Sequence, residues 1–258
     1  MRRIKIVALP ASMATVLFFS SFARAQDDLP AENHYKVYNE SAAEIPALIP
    51  LVLRDQFGSL NVDIIQRKRF ATPASKDGSV VYDDTAHQSW FGIYAEQPER
   101  NVLVTDQFGT YLWTLGNAVY LVAPAVKYPQ PGDAPPVRNH YLCYEATHGA
   151  EVVKPVMVID QFGAVQVTVV IGKLFCNPVE KTTADGTVFP IVDSQAHLAC
   201  YLVENPETYS IYVTVLDQFG SPEMTLVSND CLCTPALKER ALGVEKSTWG
   251  RIKALYRD

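Results

Sequence analysis

The sequence predicts an all-β protein built from four copies of one unit, and three observations predict it. The string Asp-Gln-Phe-Gly occurs four times, at Asp55–Gly58, Asp106–Gly109, Asp160–Gly163 and Asp217–Gly220, at intervals of 51, 54 and 57 residues. Self-similarity at such a period marks each copy as one supersecondary unit. A Pro follows each of the four aspartates by eighteen residues, at Pro73, Pro124, Pro178 and Pro235, so this part of the unit tolerates no insertion. The flanking segments are short, rich in Val, Ile, Tyr and Cys, and partly alternating, as in Gln166–Ile171 and Ser210–Val215, while helical periodicity is nearly absent before residue 236.

Each unit opens with a His followed four residues later by an aromatic: His34 with Tyr38, His87 with Phe91, His140 with Tyr144, His197 with Tyr201. One His per unit at one place in the pattern reads as a structural residue, not a ligand or base. In the third unit the strands are expected at Tyr141–Tyr144, Val152–Ile159, Val165–Ile171 and Lys173–Cys176. The string itself sits between two strands, where an Asp that accepts from backbone N–H groups ahead of it and a Gly free to take positive φ make a tight turn. Asp55, Gly58, Asp106, Gly109, Asp160, Gly163, Asp217 and Gly220 are therefore expected to be turn residues, with each Phe folding back over its unit's core. A calcium site is the functional alternative for the aspartates, but no alternating Asp and Asn flank any copy. Each unit closes with a Lys three residues after its Pro, at Lys76, Lys127, Lys181 and Lys238.

The units also pair at a second level. Asn33-His34-Tyr35 recurs as Asn139-His140-Tyr141, and Asp83 and Asp193 precede the histidines of units two and four by four residues. This points to a duplicated two-unit module, with the proline-dense stretch 128–137 as the linker between the copies. The expected arrangement is two β-sandwich-like domains, at residues 26–127 and 138–238, each with two repeats of about 50 residues sharing one core. A four-bladed propeller is the rival, disfavoured by the proline-rich break and by bridges expected within units. Residues 239–258 form a basic tail, in which Ser247 is expected to cap a short helix carrying Trp249, Ile252 and Tyr256 on one face. That tail is read either as docked on the acidic body or as a sorting signal.

Arg2, Arg3 and Lys5, the apolar run from Ile6 to Phe22 and Ala23-Arg24-Ala25 have the form of a secretory signal peptide over residues 1–25, cleaved before Gln26. Its removal takes away four basic residues and no acid, moving the formal charge from -6 to -10. An acidic, exported chain argues against nucleic acid or anionic membrane as partner. No later segment is apolar enough to cross a membrane.

Four of the five cysteines occupy repeated slots. Cys143 and Cys176 in unit three match Cys200 and Cys233 in unit four, both pairs 33 residues apart, while units one and two carry Val37 with Ala71 and Trp90 with Val122 there. Cysteine present at both slots or neither predicts one disulfide within each of the last two units, each removing about 3.5 to 4 kcal/mol of unfolded-state entropy on the chain-entropy model. Cys231 is left over, two residues before Cys233, where it could compete for Cys200; it is read as a buried, unpaired thiol, with a reactive thiol or an intermolecular bridge as the alternative. No ligand spacing supports zinc.

With the combination His140-x-x-Cys143-Tyr144, Asp160-Gln161-Phe162-Gly163 and Cys176-Asn177-Pro178-Val179, the chain resembles a family of bacterial secreted proteins built from an uncharacterised repeat domain. The resemblance covers most of residues 34–238, strongest in units three and four. It implies an exported β-rich protein and carries over no catalytic residue.

Signatures such as Gly-x-Ser-x-Gly and His-Glu-x-x-His are absent from the sequence, and only His148 lies outside the repeated histidine positions. The expected function is non-enzymatic, without metal or cofactor: an extracellular or cell-surface binding or scaffolding module whose partner is a protein or a glycan. Trp90 and Trp113 are weak candidates for ligand contact. A secreted carbohydrate-active enzyme or carbohydrate-binding protein is the alternative, because a carboxylate pair leaves no local signature.

Overall fold

Alternation and β-branched content make strands of nearly every described segment. The computed structural model describes residues 29–41 and 48–240. Unit one contains β1 (His34–Ser41), β2 (Ile49–Asp55), β3 (Gly58–Ile64) and β4 (Gln66–Lys76); unit two contains β5 (His87–Ala95), β6 (Arg100–Asp106) and β7 (Gly109–Lys127). Unit three contains β8 (His140–His148), β9 (Glu151–Asp160), β10 (Gly163–Thr183) and the short β11 (Val188–Phe189); unit four contains β12 (His197–Glu204), β13 (Thr208–Leu216) and β14 (Glu223–Arg240). The plan is the same throughout: an opening strand that begins at the His, a second strand that runs into the Asp-Gln-Phe-Gly turn, and a long third strand after it, which in unit one is interrupted at Ile65 into β3 and β4. The two strands expected at Val165–Ile171 and Lys173–Cys176 are one strand, β10, bent by register shifts near Gly172.

The opening strands and the long strands alternate around a closed antiparallel ring in the order β1, β4, β5, β7, β8, β10, β12, β14 and back to β1. Every opening strand pairs with the long strand of its own unit and with that of the unit before, and β1 completes the cycle on β14. The second strands lie off the ring in hairpins with the first half of each long strand. Each also pairs with the end of the long strand two units away: β2 with β10, β6 with β14, β9 with β4 and β13 with β7. Four hairpins therefore overlie the ring, so the sheet is more than a simple barrel.

The ring buries both of its faces. One face gathers Val37, Ala71, Trp90, Val122, Cys143, Cys176, Cys200 and Cys233 from all four units into a single cluster inside it. Cys143–Cys176 and Cys200–Cys233 are disulfides, each between residues directly opposite one another, with Cα atoms 3.9 Å apart. The other face packs under the hairpins through residues such as Leu121, Leu142, Phe175 and Tyr201. Close approach decides two glycines there: a Cβ on Gly172 would lie 2.4 Å from the Trp113 ring, and one on Gly149 would lie 2.0 Å from the Gly172 carbonyl oxygen.

The all-β class is as expected; the grouping of units is not. Two two-unit sandwiches would leave units one and two unpaired with units three and four, yet β7 pairs with β8, β1 with β14 and β4 with β9. A propeller would keep each unit's sheet as a separate blade, which the shared sheet also excludes. The stretch 128–137 connects β7 to β8, as residues 77–86 connect β4 to β5, so its prolines mark a surface crossing between ring neighbours. The first residues of the basic tail belong to the sheet, since β14 pairs with β6 as far as Arg240. The signal peptide and the expected C-terminal helix lie outside the described residues.

Val37 and Ala71 face each other in the register that the bridged cysteines occupy in units three and four. The double variant Val37→Cys, Ala71→Cys is therefore expected to close a third bridge under oxidising conditions and to stabilise the fold by up to about 3 to 4 kcal/mol. Non-reducing peptide mapping and denaturant unfolding read this out; a pair that stays reduced would contradict the ring register.

Candidate functional site

The repeated polar residues converge on four equivalent seats, one for each Asp-Gln-Phe-Gly turn. In every turn Oδ1 of the Asp accepts from the backbone N–H of the Phe two residues on, at 2.7 Å for Asp55, 2.8 Å for Asp106 and Asp217, and 3.0 Å for Asp160. The Gly has φ near +137° in the first three turns and +134° in the fourth, a conformation that costs a side-chain-bearing residue dearly. The expected turn role of these eight residues is what the geometry gives.

The second carboxylate oxygen reaches two units away. Oδ2 of Asp55 accepts from the Tyr144 hydroxyl and the Asn177 amide, both at 2.9 Å. Oδ2 of Asp106 accepts from Tyr201 at 2.7 Å and Thr234 at 3.1 Å, and that of Asp160 from Tyr38 at 2.5 Å and Thr72 at 2.7 Å. The donors are the repeated aromatic and the residue before the repeated Pro. Burial still pushes the Asp106 carboxyl above the usual range, against the pull of Tyr201, the turn amides and Thr234.

Unit two lacks both donors, having Phe91 for Tyr and Ala123 for Thr or Asn. Asp217, the turn it should serve, is rescued by Arg67 from the neighbouring strand β4, whose Nη2 lies 2.7 Å from Oδ2 with the two side chains 4% and 0% exposed. Arg67 is the cross-strand partner of Phe91 and its guanidinium carbon lies 5.0 Å from that ring's centroid. An arginine thus replaces the two uncharged donors at this seat, while at the Asp160 seat a buried Lys36, 3.9 Å from Oδ1, lies beside the two donors.

The Phe of each turn meets the same aromatic edge-on: Phe57 with Tyr144, Phe108 with Tyr201, Phe162 with Tyr38 and Phe219 with Phe91, at centroid separations from 4.7 to 5.7 Å. The Lys of the preceding unit stands over that Phe: Lys76 over Phe108, Lys127 over Phe162, Lys181 over Phe219 and, closing the cycle, Lys238 over Phe57. The four histidines lie beside these lysines. Burial, reinforced by the nearby Lys, pushes His34 and His87 down to about 4 and His140 and His197 down to about 3. Neutral rings accept from their neighbours: Lys181 Nζ lies 3.1 Å from His140 Nε2, and the Gln107 amide 2.8 Å from His34 Nε2. Burial lowers Lys181 itself to about 7.

The second-level pairing has a physical counterpart. The Asn33 side chain accepts from the backbone N–H groups of Tyr82 and Asp83, and Asn139 from those of Val192 and Asp193, so each odd unit clamps the linker that leads to the even one. Trp90 and Trp113 are both 0% exposed. This corrects their assignment to ligand contact: Trp90 fills the cysteine slot inside the ring, and Trp113, on the β6–β7 hairpin, packs against Gly172, Phe175 and Tyr201. Cys231 is a buried free thiol, pushed up to about 12 by burial. Its Sγ lies within 4.8 Å of those of Cys200 and Cys233, which are spent on their bridge, and this is the one group with metal-ligand spacing among the described residues. His148 is exposed at the end of β8. What sequence reasoning missed is Arg67, whose role is signalled only by the simultaneous loss of Tyr and Thr from one unit.

A family model described as a repeat of unknown function (DUF7450) matches residues 87–235, more than half of the chain, and the chain belongs to that family. The match runs from the first His of unit two to the Pro of unit four. No curated protein and no solved structure matches.

Two expectations follow from the seats. Arg67→Met strands a buried carboxylate and is expected to cost about 3 to 5 kcal/mol in denaturant unfolding, with Phe91→Tyr and Ala123→Thr added in that background recovering part of it. No recovery would show that Asp217 is not the reason. The native state holds its histidines neutral while the unfolded chain takes up protons below pH 6.5, so stability from this source falls as pH drops from 6.5 toward 4 and is regained as it rises. Imidazole NMR signals of the four repeated histidines should stay those of the neutral form at pH 5; titration midpoints near 6.5 would refute it.

Proposed function

We propose that this member of the DUF7450 repeat family works outside the cytoplasm as a non-enzymatic binding or scaffolding module. The observation that carries the reading is the internal use of its repeated polar groups: each Asp is held in its own seat by donors from another unit, Gln107 reaches His34 across units, and Lys181 lies against His140 within its own unit. Groups so committed build a rigid body, and such bodies act through the loops and surfaces they present. The two disulfides suit an oxidising compartment, as do the leader-like N-terminus and the acidic charge. No helix among the described residues is long and apolar enough to cross a membrane.

Fractionation of the producing cells with non-reducing peptide mapping tests the location. A chain beginning at Gln26 in an extracytoplasmic fraction, with Cys143 joined to Cys176 and Cys200 to Cys233, is the expected result. An uncleaved chain with reduced cysteines in the cytoplasm would overturn it. The purified protein should also bind saturably to intact cells or isolated envelopes without changing them; release of sugars or peptides from that surface would count against a non-enzymatic role.

A further inference from the structure

The four seats are equivalent in their contacts but not in what surrounds their lysines. Lys76 pairs with the Asp77 carboxylate at 2.7 Å. Lys127 donates to Gln161 and stands 4.7 Å from the Tyr128 ring, while Lys181 bonds His140 and Gln218 and stands 3.9 Å from the Phe189 ring. In each of these seats the linker that follows the Lys supplies a residue against it. Among the described residues, none that follows Lys238 stands against it. Its closest polar contact among the described residues is Asn177 Oδ1, at 3.5 Å.

A second cation lies close to that seat, nearer than Lys154 lies to the Phe108 ring, 5.9 Å away in the second seat. Arg100, from the start of β6, lies 4.4 Å from the centroid of Phe57, and Lys238 lies 4.2 Å from it. Beside them opens a hollow of about 490 Å³, lined among others by Gln56, Phe57, Arg100, Asn101, Val102 and Lys238. That volume is of the size that takes a small organic ligand. Neither cation is in an ion pair among the described residues. The one acid on the lining, Glu99, accepts from the Thr147 hydroxyl at 3.1 Å. Two like charges share this ring: the buried Asp55 carboxylate attracts Lys238 from the protein side, and an anion in the hollow would offset the charge on Arg100.

We propose that this hollow binds the carboxylate group of a small organic acid. Arg100 is held by Gln97, whose Oε1 accepts from its Nη2 at 3.1 Å, and by the Pro98 carbonyl oxygen, 3.5 Å from its Nε, which leaves the Nη1–Nη2 edge of the guanidinium for a planar carboxylate. The Lys238 ammonium is a point charge at its side, the Asn101 amide is a neutral donor, and the Gln56 amide, which donates to Asn177 Oδ1 at 2.9 Å, keeps its second N–H. The edge of Phe57, Val102 and Pro98 give the carbon body of the ligand an apolar wall. Glu99 limits the negative charge the hollow accepts, which favours a singly charged carboxylate over a phosphate dianion. The inference rests on the reading of the protein as a binding module and names the ligand class for it.

The test is NMR titration of the purified full-length mature chain, following the Arg100 Nε–Hε signal, with acetate, D-glucuronate, glucose and inorganic phosphate as probes. Saturable shifts with acetate and glucuronate, at dissociation constants in a range of about 1 to 10 mM, and none with glucose are expected. Arg100→Gln should weaken glucuronate at least about tenfold, the equivalent of about 1.4 kcal/mol, whereas Glu99→Gln should strengthen it. Lys76→Gln, in another seat, should leave it unchanged. The proposal fails if neither carboxylate saturates, if glucose shifts the signal equally, if phosphate binds more than about tenfold tighter than the carboxylates, or if Arg100→Gln binds as well as the parent chain. Those outcomes leave compartment and bridge pattern untouched, so they are distinguishable from failure of the extracytoplasmic reading.

Discussion

The buried aspartate of the turn is the residue on which the rest depends. One of its oxygens closes the turn, and the other is held in three of the four turns by a hydroxyl contributed from two units away and in the fourth by Arg67. A carboxylate taken out of water is tolerated only when both oxygens are served. Local geometry and long-range closure are therefore one requirement: a turn that formed without its distant tyrosine would bury half of a charge unpaired. The edge-on contact of Phe with that same tyrosine and the Lys above the Phe add to one seat, so each hairpin docks by charge, ring and cation together.

This coupling explains why the sequence announced the unit and concealed the assembly. The turn residues are local, and Asp, Gly and the fixed Pro carry their roles in their spacing. The strand content was legible for the same reason, as alternation in Gln166–Ile171 and Ser210–Val215. Pairing between β2 and β10, or between β13 and β7, joins segments more than 80 residues apart and leaves no mark on either. The prolines of 128–137 were read by composition as a boundary between cores, but a linker between ring neighbours is as exposed as one between domains and tolerates proline equally well. Trp90 and Trp113 could not be placed by residue type, since a large aromatic serves inside a ring as readily as on a surface.

The cysteine slots and the fourth seat show two ways a repeat can vary without breaking its frame. Inside the ring, units three and four join their facing residues covalently, while units one and two fill the same places with Val37 against Ala71 and Trp90 against Val122. The pairs differ in volume, and the single cluster they form is closed because a small pair in one unit is offset by a large one in the next. At the fourth seat the loss is polar and the compensation electrostatic: Arg67 supplies in one group what Tyr and Thr supply elsewhere. Exchange of the two solutions is possible because the seat specifies donors to a carboxylate and not particular side chains.

A ring made from an open chain cannot be wholly uniform. Closing β1 on β14 satisfies the backbone of the last edge, and Lys238 satisfies the cation position over Phe57. What the described residues do not repeat at the fourth lysine is the linker contact that Asp77, Tyr128 and Phe189 make with the earlier three. The seat at Phe57 is thus the place where the repeat's own constraints are weakest. It is also where Arg100, a residue outside the repeated pattern, adds a second positive charge beside a hollow. In a protein whose other repeated charges are committed to holding it together, chemistry directed at a ligand is expected at the position that symmetry leaves unfinished.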